Sequence, residues 1–548
     1  ILNPKTAGQN GLVRCKSTLT LLLLIFTSSI NSKSVIDVLI SGSTILDNSS
    51  NIFTRSCLIS KLMWEKALML YITILEPYVM YRSRLGTDLS DITLDYVSSI
   101  NDDTQIIFYD ILGSQAHTLM LYENQIITKN DARKILSALQ SLKNEKLDTL
   151  SGAEDIHELI ESLVIKKAGT TSGGKMHTAR SRNDQVSLDI RMKIRDDINI
   201  ICNCLLDTIE ALVSLAKNHQ KTIMPLYTHL QQAQAGLFSH YLLAHADVLF
   251  RDFDRLYSTF IHVNQSPLGA GPVGGTSIAI NRHSTAKMLG FDGIVENSLD
   301  ATSTRDFVAE YVAMVAILMT NLSRISEDFI IWSTSEFSFI ELADEFTSPS
   351  SVMPQKKNPD ILELTRGKTA EIIGNLTAVL TTIKGLASGY GRDLQQIKSS
   401  IWSTSKISIS ALMILKSILL TLHVNEKQMK KAAESSYLIA LDIAEKLVQN
   451  EIPFRTSHKI TGELVQIAHE SKKSLNKLGI KEISQIAKET KTDPNLIMKI
   501  IQSTTITSSL KERKSFGSSG YDEQKRMIAD RMKKINIYRT STTKRDND

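Results

Sequence analysis

The chain has 548 residues, more than a single hydrophobic core accommodates, so we expect several domains or one elongated architecture. Apolar residues make up 42% and charged residues 22% of the chain, which excludes a largely disordered protein and a multispanning membrane protein. The formal net charge of +5 is too small to indicate nucleic acid or an anionic membrane as the main partner, and small anionic ligands remain open.

Residues 1–79 differ from the rest of the chain. They contain a short apolar run from Leu21 to Phe26 that resembles the core of a signal peptide and is too short to span a bilayer. We predict an upstream extension, with the true start of the protein at Met80, and keep a secretory signal as the alternative. After residue 80 no run of 18 consecutive apolar residues occurs, so no transmembrane segment is predicted.

Three long stretches in the middle of the chain repeat apolar residues at steps of three and four, which predicts the buried faces of long α-helices. The low content of 25 glycines and 10 prolines also favours helices. We therefore predict an all-α bundle. The repeats are Phe238, Leu242, His245, Leu249, Phe253, Leu256 and Phe260, then Phe307, Tyr311, Met314, Leu318, Leu322, Ile325 and Phe329, then Ile407, Ala411, Ile414, Ile418 and Leu422.

Four punctuated segments between the helical stretches are predicted to be loops, at residues 169–175, 266–277, 346–359 and 385–392. The third is the most informative, because it combines several serines with two lysines and an asparagine. Lys356 and Asn358 can present a cation and an amide donor to a carboxylate, while Ser350 or Ser351 can move with the loop. From these residues alone, catalysis or anion binding and a solvated connector are equally open.

Three further segments carry polar or glycine-rich patterns. Tyr227–Gln234 places an imidazole beside a hydroxyl, although a single histidine is more often structural. His177–Gln185 holds two arginines, an asparagine and an aspartate, although such runs are usually solvated. The glycine-rich segment 269–275 lacks the Gly-Lys-Ser/Thr ending of a phosphate loop, so a nucleotide site is not favoured.

Together these segments resemble one known family. Ser350–Asn358, read as Ser-Ser-x-Met-Pro-x-Lys-x-Asn, resembles the signature loop of the fumarase/aspartase superfamily. The argininosuccinate lyase branch is indicated by His177–Gln185, Tyr227–Gln234, Asp300–Phe307 and the segment 384–395. The resemblance extends in order from about Met80 to the region of Ile535. It implies reversible cleavage of argininosuccinate to arginine and fumarate.

The resemblance also implies catalytic roles. Ser350 is one proton carrier and His229 is associated with the other, and which of them is the base stays open. Lys356 would activate the serine and stabilise the carboxylate that gains charge, and Glu363 would orient His229. Substrate contacts are expected from Ser99, Asp103, Arg182, Asn183, Thr228, Asn358, Tyr390, Gln395 and Lys398.

The resemblance further implies a homotetramer whose active sites combine loops from three chains, in the cytoplasm, with no metal and no organic cofactor. The four cysteines do not have zinc-finger spacing. We predict an N-terminal helical domain at 80–181, a central long-helix bundle at 182–432, a small C-terminal helical domain at 433–540 and a tail at 541–548. The alternatives are another fumarate-releasing lyase, such as adenylosuccinate lyase, and a non-catalytic crystallin-like descendant.

At three positions the sequence departs from the family pattern. Pro349 and Ala179 stand where glycine is usual, and Ala235 stands where proline is usual. Pro349 matters most, because its ring fixes φ immediately before the proposed catalytic serine.

Overall fold

The computed structural model describes residues 89–145, 147, 152–434 and 437–547, and helices dominate these residues. The prediction of an all-α fold class is confirmed. The predicted extension at 1–79 lies outside the described residues.

The N-terminal helices pack around a core of their own. Ile106, Leu121, Ile135, Leu139 and Ile160 are buried in this cluster. The helices are α1 (Asp91–Val97), α2 (Ile100–Asp103), α3 (Ile107–Glu123), α4 (Lys129–Leu142), α5 (Ile156–Ala168) and α6 (Thr170–Gly173), followed by a 3₁₀ turn at Gly174–His177. Residues 170–177 are therefore helical, which corrects the predicted loop at 169–175.

The central region is built on five long helices joined by loops and two-stranded ladders. In chain order its elements are α7 (Arg182–Asn218), β1 (Ile223–Thr228), β2 (Gln231–Leu237), α8 (Phe238–Val263), β3 (Gln265–Ser266), α9 (Arg282–Met288), β4 (Gly293–Ile294), α10 (Ser298–Ser303), α11 (Asp306–Ser333), β5 (Ile340–Glu341), β6 (Ser348–Pro349), β7 (Lys357–Asn358), α12 (Asp360–Ile383), α13 (Ile397–Thr421) and β8 (His423–Val424). The ladders β1–β2, β5–β8 and β6–β7 are antiparallel, and β3–β4 is parallel.

The predicted apolar repeats lie on α8, α11 and α13, with Leu422 just after α13, and their buried members belong to the central core, to which α7 also contributes. The helical stretches that the repeats predicted are confirmed. Four repeat members are only half-buried: His245, Met314, Ile414 and Leu422. Helix α8 begins at Phe238, as the first repeat does, and His229 lies in the turn of the β-hairpin that precedes this helix.

The C-terminal region consists of α14 (Glu426–Glu434), α15 (Ala440–Gln449), α16 (Phe454–Glu470), α17 (Ile480–Thr490), α18 (Pro494–Ser503), α19 (Ile506–Glu512) and α20 (Tyr521–Asn547). Helices α15 to α18 share a small core. Helix α20 instead places Met527, Ile528 and Ile535 in the central core. The predicted tail at 541–548 begins inside this helix, while the domain boundaries themselves stay predictions.

Three helical segments are long and apolar enough, by length and composition alone, to cross a membrane: Arg182–Asn218, Asp306–Ser333 and Arg392–Thr421. Half or more of the apolar window of each one is buried inside this chain. Their apolar character is accounted for by the central core, as expected for the inner helices of a bundle.

Candidate active site

Predicted substrate contacts from distant parts of the sequence converge near the start of α5. Lys398 on α13 pairs with the carboxylate of Asp103 on α2, and both side chains are buried. The Ser99 hydroxyl donates to Asp103 Oδ2 over 2.7 Å, and the Ile156 N–H approaches the same oxygen at 3.4 Å. The charges of Asp103 and Lys398 are therefore paired with each other inside the chain.

Arg182 lies next to this group because it is the first residue of α7. Ser181 caps that helix together with Asp184 in a reciprocal capping box. Arg182 Nη1 lies 3.0 Å from Asp155 Oδ2, and Asp155 is itself the N-cap of α5. The ion pair thus joins the first turns of two helices and fixes the direction of the guanidinium.

Tyr390 and Gln395 complete the group from the segment before α13. Gln395 Nε2 donates to the backbone oxygen of Val97 over 3.1 Å. Burial raises the pKa of Tyr390, and the nearby charges of Arg305 and Asp155 act on it in opposite directions. The phenol therefore stays protonated and can donate a hydrogen bond.

The glycine-rich loop at 269–275 supports the start of α7. The N–H groups of Gly269 and Gly271 donate to Asp184 Oδ2 over 2.9 and 2.8 Å, and both glycines have positive φ. Asn183 Nδ2 donates to the Pro272 oxygen over 3.0 Å. The backbone N–H groups of these glycines thus bind a carboxylate of the protein itself, which agrees with the prediction that the loop is not a nucleotide site.

His229 occupies the two-residue turn of the β1–β2 hairpin. His229 and Leu230 have φ of 54° and 58°, a left-handed pair that is typical of type I′ turns and unfavourable for side chains of this size. Both residues and the neighbouring Thr228 are exposed, and Leu230 is 81% exposed. Strained, exposed turns of this kind are typical of functional sites.

Ser350 lies in the loop between β6 and β7. Its Oγ accepts the N–H groups of Val352 and Met353 over 3.2 and 3.0 Å, and its own N–H donates to the Lys356 oxygen over 3.3 Å. Two N–H donors at one hydroxyl oxygen stabilise its alkoxide form. Pro349 is accommodated in β6, where it pairs with Lys357.

The charged residues of this loop have different surroundings. Lys357 lies 2.7 Å from Asp344 and 3.0 Å from Glu341, whose hydrogen bonds raise the pKa of the lysine. Lys356 is exposed, and no partner for its ammonium lies within the described part of the chain. Asn358 lies in β7, and Glu363 is exposed on the first turn of α12. Lys357 therefore anchors the loop and Lys356 is left available.

The predicted site residues thus form three groups. The first group, called the Arg182 group, contains Ser99, Asp103, Arg182, Tyr390, Gln395 and Lys398, with Asn183 next to Arg182 on α7. The second group contains Thr228 and His229. The third group contains Ser350, Lys356, Asn358 and Glu363. Among the described residues, no hydrogen bond or ion pair joins His229 or Ser350 to the first group. The predicted contact between His229 and Glu363 is likewise not made within the described chain.

Two residues near the first group were not singled out from the sequence. Asp155 pairs with Arg182, and only the three-dimensional structure reveals this. Arg305 is 2% exposed and donates to the oxygens of Thr302 and Thr304, while its Nε and Nη2 have no partner in the described chain. Arg305 could have been recognised from the sequence, because it lies in Asp300–Phe307, one of the segments that carry the family resemblance.

One group of metal-type side chains lies close together among the described residues. The possible ligand atoms of Asp110, His157 and Asp189 are within 4.8 Å of one another. Burial acts to raise the pKa of Asp110, but the contacts with His157 and the charge of the nearby Arg180 lower it overall. A guanidinium beside these carboxylates suits a network of ion pairs better than a divalent cation.

Comparisons with known proteins identify the family of this chain. A lyase family model matches residues 93–374, and a model of the argininosuccinate lyase C-terminal region matches residues 437–508. The argininosuccinate lyase of Nitrosopumilus maritimus (strain SCM1) is 80% identical over 468 residues, which cover 85% of this chain and 96% of that protein.

The chain belongs to the argininosuccinate lyase family. The argininosuccinate lyase of Methanocaldococcus jannaschii is 42% identical over 401 residues, which are 72% of this chain and 83% of that protein. A solved EDDS lyase variant with bound fumarate matches with a TM-score of 0.73 and 27% identity, covering 83% of this chain and 91% of that one. Family membership makes the chain an enzyme of the lyase class.

Proposed function

We propose that this protein catalyses the reversible elimination of fumarate from argininosuccinate, which releases arginine. The observation that carries the proposal is the 80% identity to an argininosuccinate lyase over nearly its whole length. The residues to which the family resemblance assigns catalytic roles, Ser350, His229, Lys356 and Glu363, support the proposal.

The reaction requires a base that removes a proton from the carbon beside a carboxylate. The electron pair of that C–H bond forms the new double bond, the carbon–nitrogen bond breaks, and the guanidino nitrogen leaves with a proton. The two N–H donors at Ser350 Oγ favour the serine as the base, because they stabilise its alkoxide form. His229 then suits the proton transfer to the leaving nitrogen.

Charge that develops on the substrate carboxylate needs fixed donors. Lys356 supplies a cation, Asn358 and Thr228 supply neutral donors, and all three lie on segments that bear a proton carrier. Lys357 is held by Asp344 and Glu341 on one side of the serine loop, which leaves the neighbouring Lys356 to turn towards the substrate.

Arg182 and Asn183 are proposed to bind the succinyl carboxylates, with Tyr390 and Gln395 beside them. Asp155 orients the Arg182 guanidinium, and Pro272 orients the Asn183 amide. Ser99, Asp103 and Lys398 lie deeper, and their mutual contacts make them the floor of this region.

We propose a homotetramer with shared active sites. Helices α7, α11, α12 and α13 expose large apolar side chains, which in a helical bundle indicate a subunit interface: Ile200, Ile317, Leu364, Ile373, Leu380, Met413 and Leu420. Helix α12 buries only five of its 24 residues within the chain. Neighbouring subunits would cover this surface and bring the His229 and Ser350 groups to the Arg182 group.

We further propose cytoplasmic action on a small-molecule substrate, with no metal or organic cofactor and with neither nucleic acid nor a membrane as a partner. Side chains alone account for both proton transfers and for charge stabilisation. The serine, histidine and lysine groups described above support this assignment.

Fumarate absorbance tests the function directly. Purified protein should release fumarate from argininosuccinate at an unchanged rate in excess chelator, and should run as four chains by native mass. Cleavage of adenylosuccinate but not of argininosuccinate would place the activity in another branch. Loss of activity in chelator, restored by a metal ion, would contradict the metal-free proposal.

A further inference from the structure

A buried charged cluster lies between helices α3, α5 and α7. Asp110 is 1% exposed, His157 is 4% exposed and Asp189 is fully buried. His157 Nδ1 lies 3.3 Å from Asp110 Oδ1 and 3.6 Å from Asp189 Oδ2. A single imidazole nitrogen therefore faces carboxylates from two other helices.

The cluster is connected to the substrate group through consecutive residues of α5. Asp155 pairs with Arg182 over 3.0 Å, and the Ile156 N–H approaches Asp103 at 3.4 Å. His157, the next residue, is attached to Asp110 and Asp189. Any shift of this helix start would move the partners of both Arg182 and Asp103.

We propose that His157 is a positioning residue: through Asp110 and Asp189 it holds the first turn of α5 where Asp155 and Ile156 orient Arg182 and Asp103. This inference rests on the proposed cleavage of argininosuccinate. His157 itself does not need to touch the substrate.

Electrostatics agree with the geometry. Burial acts to lower the pKa of His157, but the hydrogen bond to Asp110 and the charges of Asp110, Asp155 and Asp103 raise it overall. The pKa of Asp189 is raised by burial and by Asp110, and is opposed by Arg180 and Lys398. These shifts favour the protonated forms of both Asp189 and His157, and the 3.3 Å contact makes Asp110 the partner of the His157 cation.

Two ion pairs then involve the start of α5, and a third lies against it through the Ile156 N–H. His157 pairs with Asp110, Arg182 pairs with Asp155, and Lys398 pairs with Asp103. Removing one member leaves a buried charge without its partner, and the local structure must shift to bring water or another charge to it. Neutralising both members of one pair avoids that rearrangement.

His117 on α3 is a matched control. It is also fully buried, and its Nε2 contacts the Thr178 oxygen at 2.8 Å. Burial, together with Arg180, lowers the pKa of His117 to about 3, so that this histidine is neutral. Substitution of His117 tests the loss of a buried imidazole without the loss of a buried cation.

The experiment compares steady-state fumarate release by the intact oligomer carrying H157Q, H117Q, D110N or D110N/H157Q. H157Q is expected to raise KM for argininosuccinate about tenfold with a much smaller change in kcat, because binding by Arg182 is displaced. H117Q should leave KM within about twofold of the wild-type value. The double variant should have a lower KM than H157Q, because no buried charge is left unpaired.

The wild type supplies a second readout, because raising the pH deprotonates His157 and removes its charge without a mutation. KM of the wild type should rise as pH increases through the raised pKa of His157, and H157Q should lack this component. If H157Q does not assemble, D110N takes its place, with the same rise in KM expected.

Several results would overturn the inference. These are an unchanged KM in a folded H157Q or D110N variant, an equal rise in H117Q, or no recovery in the double variant. A wild-type protein that releases no fumarate would refute the proposed function instead, so the two failures are distinguishable.

Discussion

Lys398 and Asp103 lie 295 residues apart in the sequence and form an ion pair in which both side chains are at most 3% exposed. Both residues were expected to contact substrate. Their pairing makes each of them the other's main source of stabilisation, because a charge buried without a partner is strongly unfavourable.

Lys398→Met should therefore lower the free energy of unfolding by about 3–5 kcal/mol, because Asp103 would be left as an unpaired buried charge. Lys398→Met combined with Asp103→Asn should be less damaging than Lys398→Met alone. Denaturant unfolding of the wild type, both single variants and the double variant measures this. A double variant whose loss equals the sum of the two single losses would show that the residues do not depend on each other.

Ser350→Ala should reduce kcat by at least about a thousandfold, because the oxygen that accepts the Val352 and Met353 N–H groups is removed. Ser351→Ala is the control and should be much milder. Fumarate release measures the rates, and circular dichroism checks the fold. If Ser351→Ala were the inactive variant instead, Pro349 would have shifted the register of the loop by one residue.

His229 and Ser350 should act in one site while belonging to different chains. Mixing His229→Asn protein with Ser350→Ala protein, then dissociating and reassembling them, should give about a quarter of sites with both wild-type residues. Partial fumarate release should return. Mixed tetramers that are confirmed by native mass and still lack activity would mean that both residues act within one chain.

Ala179 adopts a φ of 61° at a position where the family usually has glycine. Ala179→Gly should therefore raise the free energy of unfolding by about 1 kcal/mol, because glycine tolerates this backbone conformation. Ala529→Gly, at an exposed position inside α20, should instead be destabilising by about 1 kcal/mol. The prediction fails if both substitutions shift the unfolding midpoint in the same direction.

His117 should make the protein sensitive to acid. Its folded-state pKa of about 3 lies below the ordinary value near 6.5, so the unfolded state binds more protons between these pH values. The stabilising contribution is complete above pH 6.5 and is lost as pH falls towards 3. His117→Gln should flatten the dependence of unfolding free energy on pH between 6.5 and 4, and an unchanged slope would refute the assignment.

The long helices were predictable because their signal is local. Phe307, Tyr311 and Leu318 lie within a few turns of each other, and a single buried face requires that spacing. The β1–β2 hairpin was missed because its turn is His229–Leu230 rather than the Asn-Gly pair that usually marks a type I′ turn.

The site was predictable only in part. The segments around Ser350 and His229 are contiguous, so the residues of each group could be recognised together. Pairing across the chain is different: the distance between Asp103 and Lys398, or between Asp155 and Arg182, follows from how helices pack and leaves no pattern in the sequence. Arg305 lies in the recognised segment Asp300–Phe307, but its burial beside the substrate group follows only from the packing of the helices.

Helix α20 has a consequence for how the protein is made. Because Met527, Ile528 and Ile535 belong to the central core, that core stays incomplete until residues 527–535 have left the ribosome. Arg531 also binds Asp247, with contacts of 2.9 and 2.6 Å that span 284 residues of sequence. A chain cut short by a premature stop before Tyr521 would lack α20 and would expose the parts of α7 and α8 that pack against it.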